Sequence, residues 1–345
     1  MKYPFLMAKS RALISNLLSR KDYENMMQLS SVDDVFSYLK NKTHYGNTLS
    51  KTNFNSVHRK DLELLLKKTI CLDLENLYFY IPEKAKEFLR CVIDRYELEN
   101  IKIIFGWLHS KRFPLEKEVI LFPVFHKNYE LSALVKNESF DAVMNFLKKT
   151  PYYLVIKAVY ENYLKTKKLF ILTNALDIWY YTRLFKLIKN LGKYADFLKK
   201  VFFMQCEFLD ISSIYRCRFL FGLSVNETKN FFLPIKEVSD IPDIHILLNM
   251  TNEKEFFDFL TEHDSSRYSI KTRNDLFAQN IDRADERILL AYAKKTLKNL
   301  NNGFDVFSAY IYLREYEYRD LVTVIESVRY GIEPQKAVRY LINGE

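Results

Sequence analysis

The sequence predicts an all-α protein built from one helical module used three times, and three observations carry that expectation. Glycine and proline are scarce, 7 and 8 in 345 residues, so the turn punctuation of an all-β chain is missing. The intervening tracts are long, rich in Leu, Lys, Glu, Tyr and Phe, and place apolar residues at helical rather than alternating spacing. A glutamate also recurs at a fixed interval. Glu97, Glu207 and Glu317 lie 110 residues apart, each followed three residues on by Asn100, Asp210 or Asp320, and then by Ile101, Ile211 or Leu321.

Taken in order, the N-terminal stretch MKYPFLMAKSRALISNLLSR reads as a first helix with Ala12, Leu13, Leu17 and Leu18 on one side. Lys9 and Arg11 inside its apolar run, and the lack of a small-residue cleavage site, argue against a signal peptide. Next comes a short amphipathic segment present in three copies, aligned on Leu39, Leu147 and Leu260. Ser31, Ser139 and Asn252 stand eight residues before those leucines, where a short side-chain oxygen can accept from a backbone N–H of the first turn. Glu255 adds a capping-box position to the third copy. The stripes Val35/Phe36/Leu39, Val143/Met144/Leu147 and Phe256/Phe257/Leu260 then mark one buried face each. The first two copies run on into KTHY and KTPY, where Pro151 disfavours helix at Thr150.

A third landmark, Leu72–Asp73, Leu176–Asp177 and Ile281–Asp282, is predicted near the start of a long aromatic-rich helix in each copy. The last helix of each module carries Glu-x-x-Asn/Asp-Ile/Leu. The prolines (Pro4, Pro82, Pro114, Pro123, Pro151, Pro234, Pro242, Pro334) fall mostly where the helical pattern lapses. Gly331 reads as a stop signal, and Pro334 as the first turn of a last helix ending near Leu341. The predicted modules are 1–118, 119–228 and 229–345, with N-terminal helices free to pack across those boundaries.

With 48% hydrophobic and 15% aromatic residues the chain can bury a substantial core and is not of disordered type. No segment approaches the roughly 18–20 uncharged apolar residues needed to span a bilayer. Cys71, Cys91, Cys206 and Cys217 lie at unpatterned spacings in apolar tracts, as expected of reduced core thiols in a cytosolic protein. The net charge of +9 favours acidic partner surfaces, anionic headgroups or nucleic acid. It is dispersed, however, as on an ordinary lysine-rich helical surface. The aromatic runs Leu77–Ile81, Ile178–Phe185 and Tyr310–Leu321 follow helical spacing and are predicted to pack in the core rather than to stack bases.

Motifs for catalysis are missing. The seven glycines never cluster, which excludes a phosphate loop and a dinucleotide fingerprint. His44, His58, His109, His126, His245 and His263 form no metal-ligand spacing, and no G-x-S-x-G occurs. No catalytic, cofactor or metal site is expected. The repeated Glu97, Glu207 and Glu317 are the special polar positions, set among apolar neighbours. They could form a ring of carboxylates facing a shared cavity or partner. Equally, they could be satisfied inside each module, fixing how the last helix docks. A solenoid of another kind would show a period nearer 34–47 residues, and a nucleic-acid-binding helical protein would rest on charge and aromatics alone.

Arg11-Ala12-Leu13, Ser15, Leu17-Leu18, Tyr23, Leu39, Thr43, Tyr45 and Gly46 resemble the N-terminal signature of the C subunits of archaeal and bacterial A/V-type rotary ATPases, and of the related d subunits of eukaryotic V-ATPases. One departure is an extra residue between Leu39 and Thr43. Leu176–Leu184 and Tyr310–Ile332 resemble the middle and C-terminal signatures of the same family, so the resemblance spans essentially the whole chain. It implies three similar helical domains around a pseudo-threefold axis, forming a funnel with a central cavity. It also implies a non-catalytic connector between central-stalk subunits and the membrane rotor ring. Such a protein would be peripheral on the cytoplasmic face of the membrane, with no cofactor and no nucleic-acid partner.

Overall fold

The computed structural model describes residues 3–51, 58–110, 139–192, 195–239, 241–267 and 281–343. Pro114, Pro123 and His126, singled out in the sequence, lie outside them. Every regular element among the described residues is helical, as the sequence predicts. They form two compact units, one of residues 1–81 with 191–345 and one of residues 82–190.

The larger unit opens with α1 (Pro4–Ser15), α2 (Arg20–Met27), α3 (Val32–Lys42), the single turn α4 (Gly46–Leu49) and α5 (Arg59–Tyr78). Its later part contains α10 (Asp196–Tyr215), α11 (Val225–Lys229), α12 (Lys236–Ser239), α13 (Pro242–Asn249) and α14 (Glu253–Arg267). It closes with α15 (Ile281–Leu297), α16 (Gly303–Arg329) and α17 (Pro334–Ala337). The smaller unit is built on α6 (Glu83–Ser110), α7 (Phe140–Leu147), α8 (Tyr152–Thr166) and α9 (Phe170–Leu191).

The centre of the larger unit is α16. It is buried on nearly all faces, including Arg314, Glu315, Glu317 and Asp320, as a helix enclosed by others must be. Helices α1, α2, α3, α5, α10 and α15 all pack on it. The approach of α1 is closest at Gly303, where an added Cβ would stand 2.2 Å from the Tyr3 carbonyl oxygen. A residue with no side chain is what lets the two backbones meet there.

The expected caps are present. Ser31 Oγ accepts from Asp34 N at 3.1 Å and Ser139 Oγ from Ala142 N at 3.2 Å. Asn252 Oδ1 accepts from Lys254 N at 2.9 Å. Val35, Phe36 and Leu39 are buried, as are Val143, Met144 and Leu147, and Phe256 and Leu260. Pro334 opens α17, which passes into a 3-10 turn ending at Tyr340, and Gly331 ends the preceding helix at φ 62°. All four cysteines are free and buried.

Three expectations fail locally. First, α1 stops at Ser15, because Ser19 and Asp22 form the capping box of α2 and start a new helix. The buried stripe of α1 is therefore Leu6, Met7 and Ser10. Ala12 is exposed, and Leu17 and Leu18 belong to the turn. Second, of the three Leu/Ile–Asp pairs only Leu72–Asp73 departs from its expected place, lying in the second half of α5, since the charged run from Arg59 is itself good helix and carries Asp61 in the first turn. Leu176–Asp177 falls within the first half of α9, and Ile281–Asp282 opens α15 as expected. Third, Phe79 and Tyr80 are not core residues but are 84% and 46% exposed. Helix α5 ends at Tyr78 and the chain turns into Pro82, so this last turn runs past its packing partners.

Candidate functional site

The repeated Glu-x-x-Asn/Asp lies on the most enclosed helices, α6, α10 and α16. Glu97, Glu207 and Glu317 are 0%, 5% and 4% exposed, and Asn100, Asp210 and Asp320 are as deeply buried. A spacing of three residues puts both polar groups of a pair on one helical face, and the face meets different partners at its two ends.

The glutamate receives a tyrosine. Tyr45 donates its hydroxyl to Glu317 Oε1 at 2.7 Å, and Tyr152 donates to Glu97 Oε2 at 2.6 Å. Both tyrosines are fully buried and are delivered by the same local device after a short capped helix. Thr43 Oγ1 donates to the Leu39 carbonyl at 2.6 Å and accepts from Tyr45 N at 3.3 Å. Thr150 Oγ1 does the same with Leu147 and Tyr152, at 2.8 and 3.3 Å. The threonine thus ends the helix and aims the tyrosine two residues later. The repetition is visible in KTHY and KTPY, but not the destination of its tyrosines.

The aspartate receives a returning backbone. Asp210 Oδ1 accepts from Leu233 N at 2.9 Å, while Asp320 Oδ1 and Oδ2 accept from Ile342 N at 2.6 Å and Asn343 N at 2.9 Å. In both copies the chain comes back 22 or 23 residues later. Burial raises the Asp210 carboxyl to about 7 against the opposing Leu233 N–H, and nearby Glu207 adds to the rise. Its Oδ2 has no hydrogen-bond partner among the described residues. Burial likewise lifts Asp320 to about 6, opposed by its two backbone donors and by Arg283 and Arg287.

Around Glu317 the pair grows into a network that sequence reasoning missed. Arg314, 2% exposed, donates to Glu317 Oε1 at 3.0 Å, Thr69 Oγ1 at 2.6 Å, Asp73 Oδ2 at 3.1 Å and the Tyr45 hydroxyl. Its guanidinium also lies 4.9 Å from the Tyr45 ring centroid. Tyr310 donates to Asp73 at 2.9 Å, and Leu18 N closes on Glu317 Oε2 at 2.5 Å. His44 Nε2 is 3.9 Å from Glu317 Oε1. Burial lowers its pKa more than Glu317 raises it, which keeps the imidazole neutral at pH 7. Burial also holds the Tyr45 phenol protonated, as a hydrogen-bond donor to Glu317. The smaller unit has two ion pairs of its own between α6 and α9. Arg183 pairs with Asp94 at 2.7 Å, and Lys102 with Asp177 at 2.5 Å.

Around Glu317 these groups hold one another in place: Arg314 pairs with both Glu317 and Asp73, and Tyr45 bridges Arg314 and Glu317, so the arrangement ties α16 to α5 and to the turn at Tyr45. Among the described residues no cluster of His, Cys, Asp and Glu is placed to hold a metal ion. No helix there is long and apolar enough to cross a membrane.

Comparison with known proteins agrees in scale with this whole-chain design. A family model described as ATP synthase (C/AC39) subunit matches residues 6–340. The C subunit of the A-type ATP synthase of Methanosphaera stadtmanae is 20% identical across 99% of this chain and 87% of its own length. That of Methanocaldococcus jannaschii is 21% identical over 99% and 86%, and that of Thermoplasma volcanium 23% over 77% of each.

Proposed function

This chain belongs to the ATP synthase (C/AC39) subunit family, and from that membership we propose that it is the non-catalytic connector of an A/V-type rotary ATPase. In this reading it joins the central stalk to the membrane rotor ring and transmits rotation between them. It sits peripherally at the cytoplasmic face of the membrane, its three modules closing into a funnel around a pseudo-threefold axis.

The observation that carries the reading is where the repeated polar groups go. A protein that acts by reacting leaves some of its special carboxylates open to a substrate. Here Glu97 and Glu317 are buried, each accepting a hydrogen bond from a tyrosine, and Glu317 is also paired with Arg314. Long, aromatic-packed helices with few glycines are suited to carrying torque without yielding. The net charge of +9 supports association with acidic stalk or ring surfaces, a contribution that salt screens.

The test is purification of the tagged full chain from detergent-solubilised membranes. Co-recovery with stalk and rotor proteins, weakened in high salt, is the expected result. Recovery of the chain alone, or with nucleic acid, would overturn the assignment.

A further inference from the structure

The three copies do not close on themselves. In the smaller unit, Tyr152 follows the second copy's short helix, yet it bonds Glu97 of the first copy. Arg183 on α9, which carries the second copy's Leu176–Asp177, pairs with Asp94, three residues before Glu97. The same displacement occurs twice in the larger unit. The third copy's short helix α14 reaches the second copy's α10 through Tyr215. That hydroxyl donates to Glu253 at 2.8 Å, and its ring lies 5.3 Å from that of Phe257. Helix α15, which begins at the third copy's Ile281–Asp282, also packs on α10. Finally, the first copy's Tyr45 and Asp73 meet Glu317 and Arg314 of the third copy's α16.

We propose that the true packing unit is staggered by half a repeat, so that each unit joins the Glu-bearing helix of one copy to the capped helix and Asp-bearing helix of the next. In the composite unit made from residues 3–81 and α16, Arg314 is the clasp. The stagger explains why this copy alone places an arginine three residues before its glutamate, where the others have Asp94 and Met204. Tyr152 and Glu97 are 55 residues apart in the chain, whereas Tyr45 and Glu317 are 272 apart. Closing the longer loop costs more entropy, and contacts to Glu317, Tyr45, Thr69 and Asp73 from one guanidinium offset that cost. Gly303, pressed against α1, and Leu18 N on Glu317 fasten the same composite unit from its other helices.

Hydrogen exchange followed by mass spectrometry on the full chain tests this, in wild type, Arg314→Met and Arg183→Met. Arg314→Met is expected to speed exchange by about tenfold or more in α1–α3, α5 and α16 together, leaving α6–α9 unchanged. Arg183→Met is expected to do the reverse. If Arg314→Met does not fold, wild type in rising sub-denaturing urea supplies the same reading. In that experiment α1–α3 must lose protection in step with α16 and out of step with α6. Opening of α1–α3 together with α6, equal acceleration of every helix, or an Arg314→Met profile like wild type would overturn the stagger.

Discussion

A guanidinium that is 2% exposed has lost nearly all its water, and among the described residues Arg314 recovers that loss through hydrogen bonds to Tyr45, Glu317, Asp73 and Thr69. Removing one partner therefore costs more than the bond it made. Glu317→Gln leaves the cation short of its nearest anion and is expected to destabilise by about 3–5 kcal/mol, measured by urea unfolding. Tyr152→Phe removes a neutral donor from buried Glu97 and should cost about 1–3 kcal/mol. Equal losses from the two changes would show that Arg314 adds nothing to its site.

The aspartates make stability depend on pH, because burial raises their carboxyls. An unfolded Asp titrates near pH ~4, while Asp210 and Asp320 titrate at about 7 and about 6 in the fold. Between those values the native state holds extra protons. The stability they contribute is fully present below pH ~4 and is lost as pH rises through 6 to 7. Asp210→Asn keeps an acceptor for Leu233 N and removes the titration. Its melting temperature, relative to wild type, should rise from pH ~4 to about 7 and level off above that. A difference independent of pH would show that Asp210 is ionised throughout. The spacing of these residues was legible from the sequence alone, since a period of 110 survives even where identity does not. Arg314 was not legible: its partners lie up to 269 residues away, and a single arginine in one copy leaves no periodic trace.

At the scale of elements, local chemistry made the capped helices readable. Ser31, Ser139 and Asn252 bond the backbone of the turn they open, and such signals need no distant contact. What failed were boundaries and exposure set by other helices. The end of α1 is dictated by the start of α2, and Phe79 is exposed because nothing among the described residues packs over that turn. The meeting of α1 with α16 gives a sharp test. Gly303→Ala would place a methyl 2.2 Å from a backbone oxygen, which cannot rotate away as a side chain could. The helix ends must part, at a cost of about 1–3 kcal/mol, despite alanine's higher helix propensity. A melting temperature unchanged or raised would show that the approach is looser than described.

In the proposed role the whole molecule acts through its shape within an assembly, stiffened by internal polar latches such as Arg314–Glu317 and by buried aromatics. Reversing surface lysines to glutamate should weaken retention by the assembly while leaving the fold intact, judged by helix content and co-purification. ATP-driven ion pumping in membrane vesicles lacking this chain, compared with ATP hydrolysis in the same vesicles, tests the account most directly. Hydrolysis that continues while pumping is abolished, and pumping restored by adding back the wild-type chain, is the predicted result. Pumping that persists without the chain, or hydrolysis that disappears with it from an otherwise intact catalytic head, would contradict its role as a passive coupler.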